Sequence, residues 1–339
     1  MTLRVGVIGL GLMGRHHTRV LHDLEHVTLA AVADPDPLAR ARATRGRDLH
    51  AYEDYRQMLD QEHLDLTIVA VPTSLHREVA TTAMRAGAHV LIEKPIAATG
   101  AEALEIIAVA QECGRRIAVG HIERFNPAVV ALKQRLARGE LGKVFRLHAR
   151  RMGPFPARIR DVGVVIDLAT HDIDISRYLM ASEPTRIYAE TARRIHTDHE
   201  DMLSALLRFG NDALVQLDVN WLTPTKIREV NVTGERGMFT VNYLTQELTL
   251  FENNLPEDGA VDNAVISVVE GKMVRFRVEP KEPLRAELED VISAIIEGRA
   301  PLVGPRDAYQ ALMIAEAIVS AGRTGDVVTM LPHEVLAFA

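Results

Sequence analysis

At 339 residues the chain is longer than one hydrophobic core usually serves, so two domains are expected. A formal net charge of −7 with no Lys/Arg cluster excludes the electrostatic footprint of a nucleic-acid binder. The single cysteine, Cys113, excludes an internal disulfide framework and a cysteine-based zinc site, and no apolar stretch approaches the ~20 residues of a membrane span.

The chain starts MTLRVGVIGLG, running straight into a strand pattern without the h-region of a secretion signal. That leads to the expectation of a cytoplasmic protein with no membrane partner. Up to about residue 120, short Val/Ile/Ala-rich runs at 4–8, 28–33, 66–71, 89–92 and 116–119 alternate with helical stretches at 12–24, 36–46, 54–60, 75–86 and 100–113. Continuous apolar strands between helices indicate a parallel sheet covered on both faces. Gly87 and Gly114 sit where helix C-caps belong. After His121 the pattern changes. Helices are expected at 127–138 and 167–180, with a strand ending near Arg151 between them. Residues 186–279 read almost wholly as strands separated by turns, and two amphipathic helices follow at 283–297 and 306–322. The expected architecture is α/β. A doubly wound dinucleotide-binding domain spans 1–120, and an α+β domain with a large, mostly antiparallel open sheet spans 121–339, its last helix available to pack on the first domain.

Three local patterns carry chemistry. Gly9-Leu10-Gly11-Leu12-Met13-Gly14 lies between the first strand and the first helix. There the glycines serve a tight turn, close approach of a pyrophosphate and helix–strand packing, and the helix N-terminus offers amide donors to the anion. Asp34 ends the next strand, 20 residues after Gly14, where a carboxylate accepts a ribose diol and disfavours a 2′-phosphate. NAD is therefore the expected cofactor, with Arg40 and Arg42 keeping NADP open. Next, Glu93-Lys94-Pro95 follows the strand at 89–92, at a strand carboxyl end, where open α/β sheets bind ligands. A lysine there can bond a substrate hydroxyl or exchange protons, although a charged surface turn reads the same way. Third, Asp167, His171 and Asp174 are spaced i, i+4, i+7 and share a face if helical. A carboxylate beside an imidazole fixes its tautomer and makes it a proton acceptor; a capped, solvated helix start is the plain alternative. Further ligands for a metal are not evident, and none is expected.

Taken together, GLGLMG, VADPDP, VAVPTSLH, EKP and the Asp–His helix resemble the Gfo/Idh/MocA oxidoreductases over nearly the whole chain. The resemblance implies a catalytic Lys94, commonly before a cis proline, and a cofactor site including Pro72, Thr73, His76 and Glu93 beside Leu12 and Met13. It implies catalytic roles for Asp167 and His171. The sequence departs from the family at Ala169, where glycine is common, and lacks the usual glycine run before the aspartate. HIERFNPAV at 121–129 and the stretch at 152–179 are similar to members that oxidise the 3-hydroxyl of UDP-N-acetylglucosamine to a ketone. On that reading Arg124, Asn126, Arg158 and Arg160 become substrate candidates, the arginines as bidentate donors to a diphosphate. Each is equally the kind of arginine that serves a salt bridge. The other readings are a dehydrogenase of a free polyol or monosaccharide, and a non-catalytic NAD-responsive regulator. The open sheet face leads to an expected homodimer or homotetramer.

Overall fold

A computed structural model describes residues 2–156, 162–196, 198–253 and 270–330, and these form two units. Unit 1 takes residues 2–125 with Glu282–Met313; unit 2 takes Asn126–Lys281 and residues 314–330. The division expected from sequence placed 121–339 in the second domain, with only the last helix available to pack on the first. The return of Glu282–Met313 to unit 1 has a packing cause. The helix Pro283–Glu297 buries Leu284, Leu288, Val291 and Ile292 in the same core as Leu3, Val5 and Leu66. Its apolar stripe matches that core as well as the stripe of any βα crossover helix.

Unit 1 is built on six parallel strands, β1 (Leu3–Ile8), β2 (Val27–Ala33), β3 (His50–Tyr52), β4 (Leu66–Val69), β5 (His89–Ile92) and β6 (Ile117–Val119), in the order β3-β2-β1-β4-β5-β6. The order reverses between β1 and β4, which opens a crevice at their carboxyl ends. Five crossover helices fill the connections: α1 (Leu12–His22), α2 (Pro37–Thr44), α3 (Tyr55–Gln61), α4 (His76–Arg85) and α5 (Gly100–Cys113). Side-chain caps start several of them, Asp36 for α2, Asp54 for α3 and Thr99 for α5. Gly114 ends α5 in the left-handed conformation expected of it. The strand β3 has only three residues and leaves no periodic signal.

Unit 2 is a nine-stranded sheet: β7 (Val144–Met152), β8 (Pro184–Ala192), β9 (Met202–Phe209), β10 (Leu214–Asn220), β11 (Ile227–Gly234), β12 (Gly237–Asn242), β13 (Glu247–Glu252), β14 (Met273–Phe276) and β15 (Val328–Thr329). Its order is β14-β13-β12-β11-β7-β10-β9-β8-β15, and all neighbours are antiparallel except β7 and β10. Alternate residues are buried along β10 and β12, so one face packs and the other is open. Among the described residues, two helices lie wholly within this unit, α6 (Pro127–Ala137) and α7 (Thr170–Met180). The helix at Pro283–Glu297 is α8, and α9 (Pro305–Thr324) runs from the residues of unit 1 into those of unit 2. No helix among the described residues is long and apolar enough to cross a membrane.

Candidate active site

The three motif glycines do three separable jobs. Gly9 has φ +88°, and a Cβ there would lie 2.4 Å from the Ala70 carbonyl oxygen; a Cβ on Gly14 would lie 1.8 Å from the Gly9 oxygen. Both glycines are demanded by the protein itself. Gly11 is different: no heavy atom lies within 4 Å of where its Cβ would be. It is the N-cap of α1, with no side chain capping the helix, so the first-turn amides are left for an anion. A cavity of about 360 Å³ opens at this point, lined by Gly11, Leu12, Arg15, Asp34, Asp36 and Arg42. Backbone donors, a helix N-terminus, two arginines and a strand-end carboxylate are the group set a dinucleotide requires. Asp34 also has a structural duty. Its Oδ2 accepts the Leu10 amide at 2.6 Å and its Oδ1 the Asp36 amide at 2.8 Å, and each carboxylate oxygen keeps a further acceptor site for a ribose hydroxyl. Arg40 turns away to the Asp34 and Pro35 carbonyls, and Arg42 lies 3.6 Å from Asp36. Asp34 and Asp36 line this cavity with Arg15 and Arg42, and a carboxylate at the end of β2 favours NAD over a 2′-phosphorylated dinucleotide.

A larger hollow, about 910 Å³, opens at the start of β6 beside Arg115, Arg116 and Arg306. That is the amino end of the parallel strands, away from the motif, so the smaller cavity is the better candidate.

Lys94 is the second residue after β5, half-buried, and the Lys94–Pro95 bond is cis. Its neighbours are held from behind. The Glu93 carboxylate is buried, with Oε1 2.7 Å from Nε2 of His17, a residue of α1 with no exposure at all. Burial alone would push the Glu93 carboxyl up. The His17 bond and the charges of Lys94 and His76 outweigh it and hold the group below the usual carboxylate range. His76 is equally buried. Its Nδ1 lies 2.8 Å from the Pro95 carbonyl oxygen and its Nε2 3.0 Å from that of Val71. Burial pushes this imidazole down, against the two carbonyls and Glu93. Glu93 and His76 were both expected among the cofactor contacts. In the structure Glu93 Oε1 meets His17 and the ring nitrogens of His76 face two backbone carbonyls, while Pro72 is exposed and Thr73 half-buried on the loop between β4 and α4.

In unit 2, Asp167 sits within a π-helical turn, Val165–Ala169, that leads into α7, and His171 lies in the first turn of α7. Both are half-buried, whereas Asp174 is 1% exposed. The regular α spacing expected from Asp167 onward therefore starts only at Thr170. Single π turns inside helices are characteristic of functional sites, because the extra residue re-aims the side chains it carries. Asp172, also buried, accepts Arg151 Nε at 2.7 Å and a second guanidinium nitrogen at 3.1 Å, which ties α7 to β7.

Two expected substrate contacts take structural duties. Arg124, 4% exposed, pairs with Asp307 through two contacts of 3.1 Å. Asn126 caps α6 through the Ala128 amide and donates to the Tyr243 carbonyl. Arg158 and Arg160 lie outside the described residues. Sequence reasoning missed His17 and Arg15. Nothing in Arg15-His16-His17 separates the buried histidine from its exposed neighbour until the phase of α1 is known.

A model of the oxidoreductase family with an NAD-binding Rossmann fold matches residues 3–121, and one of the GFO/IDH/MocA C-terminal domain matches residues 129–240. The chain is 30% identical to a UDP-N-acetylglucosamine 3-dehydrogenase of Acidithiobacillus ferrooxidans over 88% of this chain and 90% of that one. It is 29% identical to inositol 2-dehydrogenase 2 of Saccharopolyspora erythraea over 96% and 94%. The solved structure of the Acidithiobacillus enzyme superposes with a TM-score of 0.82 at 27% identity, covering 95% of this chain and 98% of that one.

Proposed function

The chain belongs to the Gfo/Idh/MocA family of oxidoreductases, and from that premise we propose that it oxidises the 3-hydroxyl of UDP-N-acetylglucosamine to a ketone with NAD. The observation that carries the substrate is the likeness to the Acidithiobacillus enzyme, in sequence and in fold. Bound NAD supplies the hydride acceptor for the carbinol carbon. The Gly11–Gly14 helix start and Asp34 hold the dinucleotide by its anionic bridge and its ribose diol. Lys94 is the candidate in unit 1 for accepting the hydroxyl proton or stabilising the negative charge that develops on the oxygen, and His171 with Asp167 is the candidate in unit 2 for the same proton. The inositol dehydrogenase likeness, which spans a larger share of the chain, supports a second reading in which the substrate is a free polyol.

A panel of UDP-N-acetylglucosamine, other UDP-sugars, free hexoses and inositols, followed by the absorbance of reduced nicotinamide, separates the two. Turnover of UDP-N-acetylglucosamine with kcat/KM at least tenfold above every unphosphorylated sugar is expected. Turnover confined to inositol would replace this substrate assignment with the polyol. No turnover of any member by a protein that binds NAD would favour a regulator.

A further inference from the structure

We propose that His17 and His76 are positioning residues for Lys94, each locking one of its two chain neighbours and tying the lysine to an element that holds the dinucleotide. The inference rests on Lys94 being catalytic, as read above. Lys94 is a single residue between two fixed points. On one side the Glu93 carboxylate is gripped by His17 at 2.7 Å; on the other the Pro95 carbonyl is gripped by His76 at 2.8 Å. Both imidazoles are essentially without solvent exposure, at 0% and 1%, so water does not compete for these bonds.

The two anchors come from elements with a second duty. His17 belongs to α1, whose first turn carries Gly11 and the free amides. His76 opens α4, and as a neutral imidazole with its one N–H on Nδ1 it donates to Pro95, tying that carbonyl to α4; Nε2 lies 3.0 Å from the carbonyl oxygen of Val71, the residue before Pro72. The position of the lysine is thereby referenced to both elements proposed to hold the dinucleotide. Reacting groups must be placed to within a fraction of an ångström, and a displacement of about 1 Å costs roughly 10²-fold in rate.

Packing alone does not account for the choice of residue. Among the described residues His17 Nδ1 is buried with no hydrogen-bond partner, a cost an apolar side chain of similar volume would avoid. What the imidazole adds is the bond to Glu93. Room for that carboxylate is also kept by Gly120, where a Cβ would stand 3.0 Å from Glu93 Oε2.

The test is a double-mutant cycle against Lys94→Met, run with whichever sugar the substrate panel identifies. His17→Phe and His76→Phe are each expected to lower kcat roughly 10- to 100-fold, with NAD affinity by calorimetry held within about threefold. His17→Gln and His76→Gln, which keep a donor, are expected to recover part of the loss. In the Lys94→Met background the same substitutions are expected to change the residual rate by less than about twofold, because the group they place is gone. Wild-type kcat in both Phe variants would overturn the inference. So would an equal fall with and without Lys94, which would mark the histidines as general supports. If a Phe variant loses cooperative melting, the Gln variant carries the same comparison. Wild-type turnover in Lys94→Met alone would sink the catalytic reading of the lysine, and that result is independent of either histidine.

Discussion

The second motif glycine gives the sharpest separation between folding and cofactor binding. At Gly11 an added methyl meets no protein atom within 4 Å, and the backbone, with φ −63° and ψ −154°, suits alanine. Alanine is a poorer helix cap than glycine but loses less chain entropy on folding, so Gly11→Ala is expected to change stability by no more than about 1 kcal/mol. On the proposed placement of the dinucleotide, the same methyl would stand where its pyrophosphate approaches the first-turn amides. Loss of one charge-assisted hydrogen bond there is worth about 1.5–3 kcal/mol, or roughly 10- to 100-fold in the Kd for NAD. Gly14→Ala is the contrast, since its Cβ would lie 1.8 Å from the Gly9 carbonyl oxygen. Backbone must move to relieve that overlap, at a cost of roughly 3 kcal/mol or more. Thermal melting with and without NAD, plus calorimetric titration, reads both variants. Gly11→Ala binding NAD with wild-type affinity would refute the placement of the pyrophosphate, and Gly11→Ala melting far below wild type would refute the claim that the position is open.

Three further outcomes follow from the same structure. Asp34→Asn is expected to raise the NADP/NAD ratio of kcat/KM about tenfold or more by removing the carboxylate proposed to disfavour a 2′-phosphate; an unchanged ratio would move the discrimination to another residue of the cavity. Asp172→Ala is expected to cost about 3–5 kcal/mol in urea unfolding, because it removes the carboxylate that pairs with the buried Arg151 guanidinium, and a loss below about 1 kcal/mol would show that the pair adds little. Glu287 is buried at 1% exposure, and burial first, then Glu93 and Asp290, push its carboxyl well above the ordinary 4.5. The unfolded chain releases that proton near 4.5 while the fold retains it, so stability falls as pH rises from there toward the folded value. Glu287→Gln is accordingly expected to melt higher than wild type at pH 8 and not at pH 4, and equal melting at both would show that the carboxyl ionises freely in the fold.

What the sequence made legible follows from the range over which each signal acts. Five of the six parallel strands were plain because each is a continuous apolar run, and the motif turn was plain because its requirements are steric and local, in line with the 2.4 and 1.8 Å overlaps at Gly9 and Gly14. Three strands escaped: β3 and β15, of three and two residues, are too short to show a period, and β13, ELTLFE, carries glutamates at both ends. The π turn at Val165–Ala169 was hidden because it changes the hydrogen-bond register without changing composition. The polar residues were hardest. Arg124, Asn126, Glu93 and His76 look from the sequence like groups awaiting a ligand, since nothing local reveals that Asp307, Tyr243, His17 and Pro95 will meet them. A polar side chain in a βα loop is read as functional by default, and only the fold shows whether its hydrogen bonds are already spent. Glu93 and Lys94, adjacent in sequence and equally prominent in the motif, accordingly differ in their settings. The first is committed to His17 in the interior, and the second is left half-buried at a strand end between two anchored neighbours. The double-mutant cycle on Lys94, His17 and His76 asks whether that division of labour is the mechanism.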